Sequence, residues 1–185
     1  MTTLVFLLEE PSAQAMLEGI LPCLLPPAVI PRFLVFEGKQ DLDKRLERRV
    51  RGWRAPDTCF VVIRDKDAGD CQIIKQELCD KLANAGRPNS LVRIACHELE
   101  SFYLGDLAAV EAGLYCRGLS KLQEKRKYRT PDTTPNPAGE LAKLTDYQKV
   151  AGSRAIAAHL KLDGSNRSHS FNVLVNGLRH LITSF

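Results

Sequence analysis

The chain has 185 residues, 44% of them apolar and 26% charged, which suits one globular domain that needs no disulfide or metal staple to close its core. Its 26 basic and 22 acidic side chains leave a formal net charge of +4, a weak bias toward anionic partners. The six cysteines are scattered without a C-x-x-C pair and no apolar run approaches membrane-spanning length, which excludes a disulfide framework and a zinc ribbon and points to a cytoplasmic protein with no membrane contact.

From the N-terminus, residues 3–8 (TLVFLL) form an apolar run of strand length that ends in Glu9 and Glu10. No basic segment precedes it, so a secretory leader is not expected. Pro11 and Ser12 open a helical pattern that breaks near Pro22 or Pro26. Residues 33–36 (FLVF) read as a second strand, again closed by an acid, Glu37. Leu42, Leu46, Val50 and Trp53 then recur at helical spacing within a basic segment, which predicts a helix with this stripe facing the sheet.

Residues 59–63 (CFVVI) are the clearest buried strand, and three aspartates follow: Asp65, Asp67 and Asp70. Period-two alternation predicts Asp65 and Asp67 on one face, whereas Asp70 is placed to cap the helix carrying Ile73, Ile74, Leu78 and Leu82. Residues 91–96 (LVRIAC) form a fourth strand running into Glu98 and Glu100, of which Glu100 is the preferred site residue. The strand–helix alternation predicts an α/β fold with a sheet of about four mainly parallel strands flanked by helices.

Beyond this core, residues 1–106, the pattern turns helical, and residues 107–185 are expected to form a helical extension packed on it. Residues 130–139, with three prolines, read as a loop free to move. Residues 143–160 and 170–185 each read as one helix, the second with its stripe on Phe171, Leu174, Val175, Leu178 and Leu181 and its N-cap at Ser168.

Open α/β sheets bind ligands at the carboxyl ends of their strands. Here Glu9 or Glu10, Asp65 with Asp67, and Glu98 with Glu100 are expected at one such edge. Paired carboxylates repel unless a cation or proton lies between them, and an all-oxygen set favours Mg²⁺ or Mn²⁺. Lys44, Arg45, Arg48 and Arg49 in one basic segment, and Lys125 and Lys127 in another, are candidates for nucleic-acid phosphates. Lys149 is the candidate cation for transition-state charge, with Lys143 and Lys125 behind it. The histidines form no cluster, and no Ser/His/Asp pattern, P-loop or G-x-G-x-x-G is present.

Glu9-Glu10-Pro11-Ser12 after an apolar strand, together with Asp65-Lys66-Asp67, resembles the Toprim domain of topoisomerases, primases and overcoming-lysogenization-defect-type nucleases. The segments RIACHELESFYLGD, KLTDYQKVAG and SHSF resemble an uncharacterised bacterial Toprim-like family, domain of unknown function 4276, along nearly the whole chain. The resemblance implies a Toprim-like (Rossmann-like) sheet, with Glu9, Asp65 and Asp67 as metal ligands and Glu100 assisting catalysis. It further implies nuclease activity on DNA or RNA in bacterial anti-phage defence, with an ABC-type ATPase partner. Glu10 stands where that pattern has glycine, and Ala13 where a second acid is common. These departures motivate the alternative of a catalytically inactive Toprim-fold module that binds nucleic acid or the ATPase, while phosphate transfer to a small molecule is the weakest reading.

Overall fold

The structure, a computed structural model, describes residues 2–183. Four strands, β1 (Thr2–Leu8), β2 (Val29–Val35), β3 (Thr58–Asp65) and β4 (Leu91–Ala95), form one parallel sheet in the order β2-β1-β3-β4. Alternation along the strands divides the core. Leu4, Phe6, Leu8, Val61 and Ile63 pack to one side, while Val5, Leu7, Phe60, Val62 and Val92 pack to the other.

Helices α1 (Pro11–Ile20), α2 (Lys39–Arg51) and α3 (Cys71–Asn84) follow the first three strands. Leu42, Leu46 and Val50 of α2 and Leu78 and Leu82 of α3 cover the Val5 side of the sheet. Trp53 joins this cluster and packs edge-on against Phe60. The opposite side is covered by α1 and by the C-terminal half: α4 (Ser101–Leu104), α5 (Leu107–Gly113), α6 (Arg126–Arg129), α7 (Pro137–Leu144), α8 (Lys149–Ala157) and α9 (His169–Thr183). Residues 107–183 thus pack with α1 and α4 into one layer, with Phe171, Leu174, Val175 and Leu178 of α9 in the same core as Leu4 and Phe6. No described helix is long and apolar enough to cross a membrane.

Caps fall where side-chain chemistry predicts. Asp70 accepts from the Gln72 and Ile73 backbone N–H groups at the start of α3, and Ser168 Oγ accepts from Phe171 N–H at the start of α9. Three expectations are corrected. The second strand begins at Val29, not Phe33, and runs through Pro31 to Val35. Proline is tolerated there because β2 is an edge strand. The even-numbered positions of β2 face β1, since Phe36 N–H donates to Leu8 O and Ala28 O accepts from Thr2 N–H; Pro31 therefore has its missing donor on the open side.

Second, the helix expected over 143–160 is two helices, α7 and α8. Thr145 is extended (φ −152°, ψ 171°) and its hydroxyl donates to Leu141 O, which ends α7 and leaves a short link carrying the buried Tyr147. Third, residues 130–139 are an ordered segment. Asp132 accepts from Ser168 Oγ and Ser170 N–H, fastening the segment to the start of α9, and α7 already begins at Pro137. The final stripe residues Phe171 to Leu178 are buried as expected, and the last two residues of the predicted helix, 184 and 185, lie outside the described residues.

Candidate metal and phosphate site

The strand order reverses direction between β1 and β3, so the crevice for a ligand opens at the carboxyl ends of these two neighbours. Glu9 and Glu10 leave β1 there, and Asp65 ends β3. Glu9 Oε2 accepts from the Asp65 backbone N–H at 3.2 Å, which joins the two strand ends directly. Glu10 precedes Pro11, the first residue of α1, whose fixed φ starts the helix without needing its missing N–H. The Glu10 carboxylate is not free: Ser12 Oγ donates to it at 2.6 Å and Lys149 Nζ at 3.0 Å.

Asp65 is the electrostatic centre. Burial first, then the charges of Glu9, Glu10 and Glu100, push its carboxyl well above the ordinary range, against a lowering from the Leu99 backbone N–H. Burial also raises Glu9, opposed by its bond from the Asp65 N–H and reinforced by the charge of Asp67. Glu100, at the start of α4, has no solvent exposure; burial raises it, and the ammonium of Lys149 works in the opposite direction. Tyr147 donates to Glu100 Oε1 at 3.0 Å, while Oε2 is buried with no hydrogen-bond partner. Lys149 opens α8 and brings a cation from the C-terminal layer into this cluster. Partial burial pulls its ammonium down, but Glu10, Glu100 and Asp65 outweigh that and the net shift is upward.

Asp67 is placed differently from Asp65. The strand ends at Asp65, and Asp67 sits in a turn with φ +52°, so strand alternation no longer orders the pair. Its N–H donates to His97 O, and its half-exposed carboxylate accepts from Lys39 Nζ at 2.6 Å. Lys39 is the first residue of α2, whose preceding Gly38 (φ +90°) donates its N–H to Glu9 O. Glu98 is turned away to accept from the Ala138 N–H at the start of α7, a structural role.

Residues 8–179 match the family model described as Domain of unknown function (DUF4276). The chain belongs to this family. No curated protein and no solved structure matches it. The matched region of the DUF4276 chain contains every acid of the crevice together with Tyr147 and Lys149.

The donor set suits a hard divalent cation in its chemistry: carboxylates only, crowded enough to raise one another, with the buried Glu100 Oε2 lacking a partner. Among the described residues no group of three His, Cys, Asp or Glu side chains is already arranged to hold an ion. Holding one requires the carboxylates to close on it. Two participants escaped the sequence reading. Tyr147 lies 47 positions from Glu100, and only its place two residues ahead of Lys149, within the family-like segment KLTDYQKVAG, signalled it. Lys39 was a basic residue among several, distinguished only by opening the helix that follows Glu37 and Gly38.

The basic candidates divide between two layers. Lys44, Arg45, Arg48 and Arg49 are exposed on α2, with Arg45 paired to Asp41 at 2.8 Å and the other three without an ion pair among the described residues. Lys125 precedes α6 and Lys127 lies within it, and Tyr128 of this helix belongs to the core on the opposite side of the sheet. Lys127 is bound to Glu140 at 2.6 Å, whereas Lys125 has no ion pair among the described residues.

Proposed function

We propose that this DUF4276 chain is a Mg²⁺- or Mn²⁺-dependent phosphodiesterase of Toprim type that cuts nucleic acid. The observation that carries the proposal is the meeting of Glu9, Asp65 and Glu100 with Lys149 at the β1–β3 crevice, three acids each raised and one cation held among them. Glu9 and Asp65 are the ligands, with Glu10 and Glu100 beside them and Asp67 available once it leaves Lys39. A divalent ion bound there supplies a Lewis acid for the phosphate and lowers the pKa of a bound water. Lys149, released from Glu10, faces the charge that develops on the phosphate. Asp65, partly buried and repelled by its neighbours, gains most from a bound cation.

The direct test is cleavage of plasmid and single-stranded DNA or RNA by the purified chain with Mn²⁺ or Mg²⁺, against EDTA. Metal-dependent products are expected, and intact substrate under every condition counts against the proposal. The resemblance set out above extends it to anti-phage defence in the bacterial cytoplasm beside an ABC-type ATPase.

On nucleic acid, the α2 face is the proposed site of phosphate binding. Replacing Lys44, Arg45, Arg48 and Arg49 together by alanine is expected to flatten the dependence of log K on log salt by roughly 0.9 for each duplex phosphate that is no longer neutralised. Fluorescence anisotropy across a salt series reads this, and an unchanged slope moves the phosphate-binding face elsewhere.

A second reading is a binding module that does not cut. The absence of a ready three-ligand group among the described residues, and the Lys39–Asp67 pair, favour it. Calorimetry with Mn²⁺ separates the two, since a scaffold has no need of metal in this crevice.

A further inference from the structure

The segment KLTDYQKVAG, residues 143–152, does more than link α7 to α8. Tyr147 is buried, and its hydroxyl sits among three groups: Glu100 Oε1 at 3.0 Å, Ser153 Oγ at 3.0 Å and Lys149 O at 3.2 Å. A phenol has one proton to give, and a carboxylate is the strongest acceptor of the three. The Tyr147 proton therefore goes to Glu100, and the Ser153 hydroxyl donates into the Tyr147 oxygen. Burial holds the phenol protonated, and the carboxylate of Glu100 acts in the same direction. The ring packs against Gly152, where a Cβ would collide with the ring carbons, so glycine is what leaves room for it.

The consequence falls on Glu100. One of its oxygens is held by Tyr147, and the other, Oε2, is buried with no partner in a cluster that already contains Asp65 and Glu10. A buried carboxylate oxygen left unpaired costs stability, and such groups need a reason. The same segment delivers Lys149 to Glu10, so one short link sets both an acid and the cation opposite it.

We infer that Tyr147 is a positioning residue that holds Glu100 by Oε1 and so presents Oε2 as a preset ligand for a divalent cation in the β1–β3 crevice. The inference rests on the metal reading above and goes beyond it, because it makes Glu100 a ligand and assigns the C-terminal layer the task of aiming it. Carboxylate ligands are commonly fixed by such outer partners, whose removal weakens metal affinity roughly 10- to 100-fold.

The test is calorimetric titration of the full chain with Mn²⁺ alone, with melting curves taken without metal. The comparison is between the native protein, Tyr147→Phe, Ser153→Ala and Glu100→Gln. Tyr147→Phe is expected to weaken Mn²⁺ binding roughly 10- to 100-fold, Glu100→Gln by at least as much, and Ser153→Ala less but in the same direction. A Tyr147→Phe protein that melts lower yet binds Mn²⁺ like the native chain shows a packing role only and overturns the inference. Native affinity in Glu100→Gln overturns it as well. Should Tyr147→Phe fail to fold, Ser153→Ala decides, with unchanged affinity counting against. A native chain that binds no Mn²⁺ defeats the proposed function itself, which distinguishes that failure from the failure of Tyr147 alone.

Discussion

Asp65→Asn is expected to abolish metal-dependent cleavage, by about a hundred- to a thousandfold, while making the metal-free protein melt higher than the native chain. The two effects have one cause. Asp65 is the acid most strongly raised by burial and by Glu9, Glu10 and Glu100, so its charge is a liability until a cation arrives. Asparagine removes that charge at nearly constant shape and keeps an oxygen that can accept a hydrogen bond. For a chain of this size, each 1 kcal/mol of relieved repulsion moves the melting temperature by about 2–4 °C.

The pH dependence follows. A carboxyl whose folded pKa lies above its unfolded value of 3.8 binds more protons folded than unfolded between those two values. Stability of the native chain without metal therefore falls as pH rises from 3.8 through the raised folded value, and Asp65→Asn shows a smaller fall. Mg²⁺ is expected to raise the melting temperature of the native chain near neutral pH and to leave the variant unmoved, since only a bound ligand stabilises by mass action. Differential scanning fluorimetry over pH, with and without Mg²⁺, reads all three. A variant that melts below the native chain at neutral pH removes the electrostatic account of the crevice.

Lys149→Met separates binding from chemistry with opposite signs. Lys149 is the cation bonded to Glu10 and felt by Glu100 and Asp65, so its removal leaves the acids with less compensation. The metal-free variant is expected to melt lower and to bind Mn²⁺ more tightly, because the crevice becomes more negative and a tethered competitor for Glu10 is gone. Cleavage at saturating metal is nevertheless expected to fall about a hundredfold, the scale seen when one preorganised transition-state donor is removed. Calorimetry and single-turnover cleavage on the same preparation check this. Tighter metal with native cleavage would assign Lys149 to charge balance only.

The parts of this fold legible in the sequence are those written in local pattern. β1, β3 and β4 are short apolar runs ending in acids or a helix cap, and the stripes of α2, α3 and α9 recur at helical spacing. β2 was only half legible, because Pro31 argues locally against a strand and only the sheet order, with β2 at the edge, makes it harmless. The break between α7 and α8 was hidden because residues 143–160 contain no proline, and Thr145 and Asp146 at the break do not by themselves end a helix; the link buries Tyr147 against Glu100. The acids of the crevice could be named from their strand-end positions, but not their states. Whether Asp67 faces the crevice or Lys39 depends on where β3 ends, and one residue with φ +52° decides it. Pairings such as Lys149 with Glu10 and Tyr147 with Glu100 join residues far apart in the chain, and no local period records them.

Pro31 carries a further consequence. Its position on β2 faces outward and has no N–H to offer, so a strand approaching that rim meets a gap in the donor row at the middle of its run. Growth of the sheet on the β2 side is thereby disfavoured, against misfolded neighbours and against partners that add a strand.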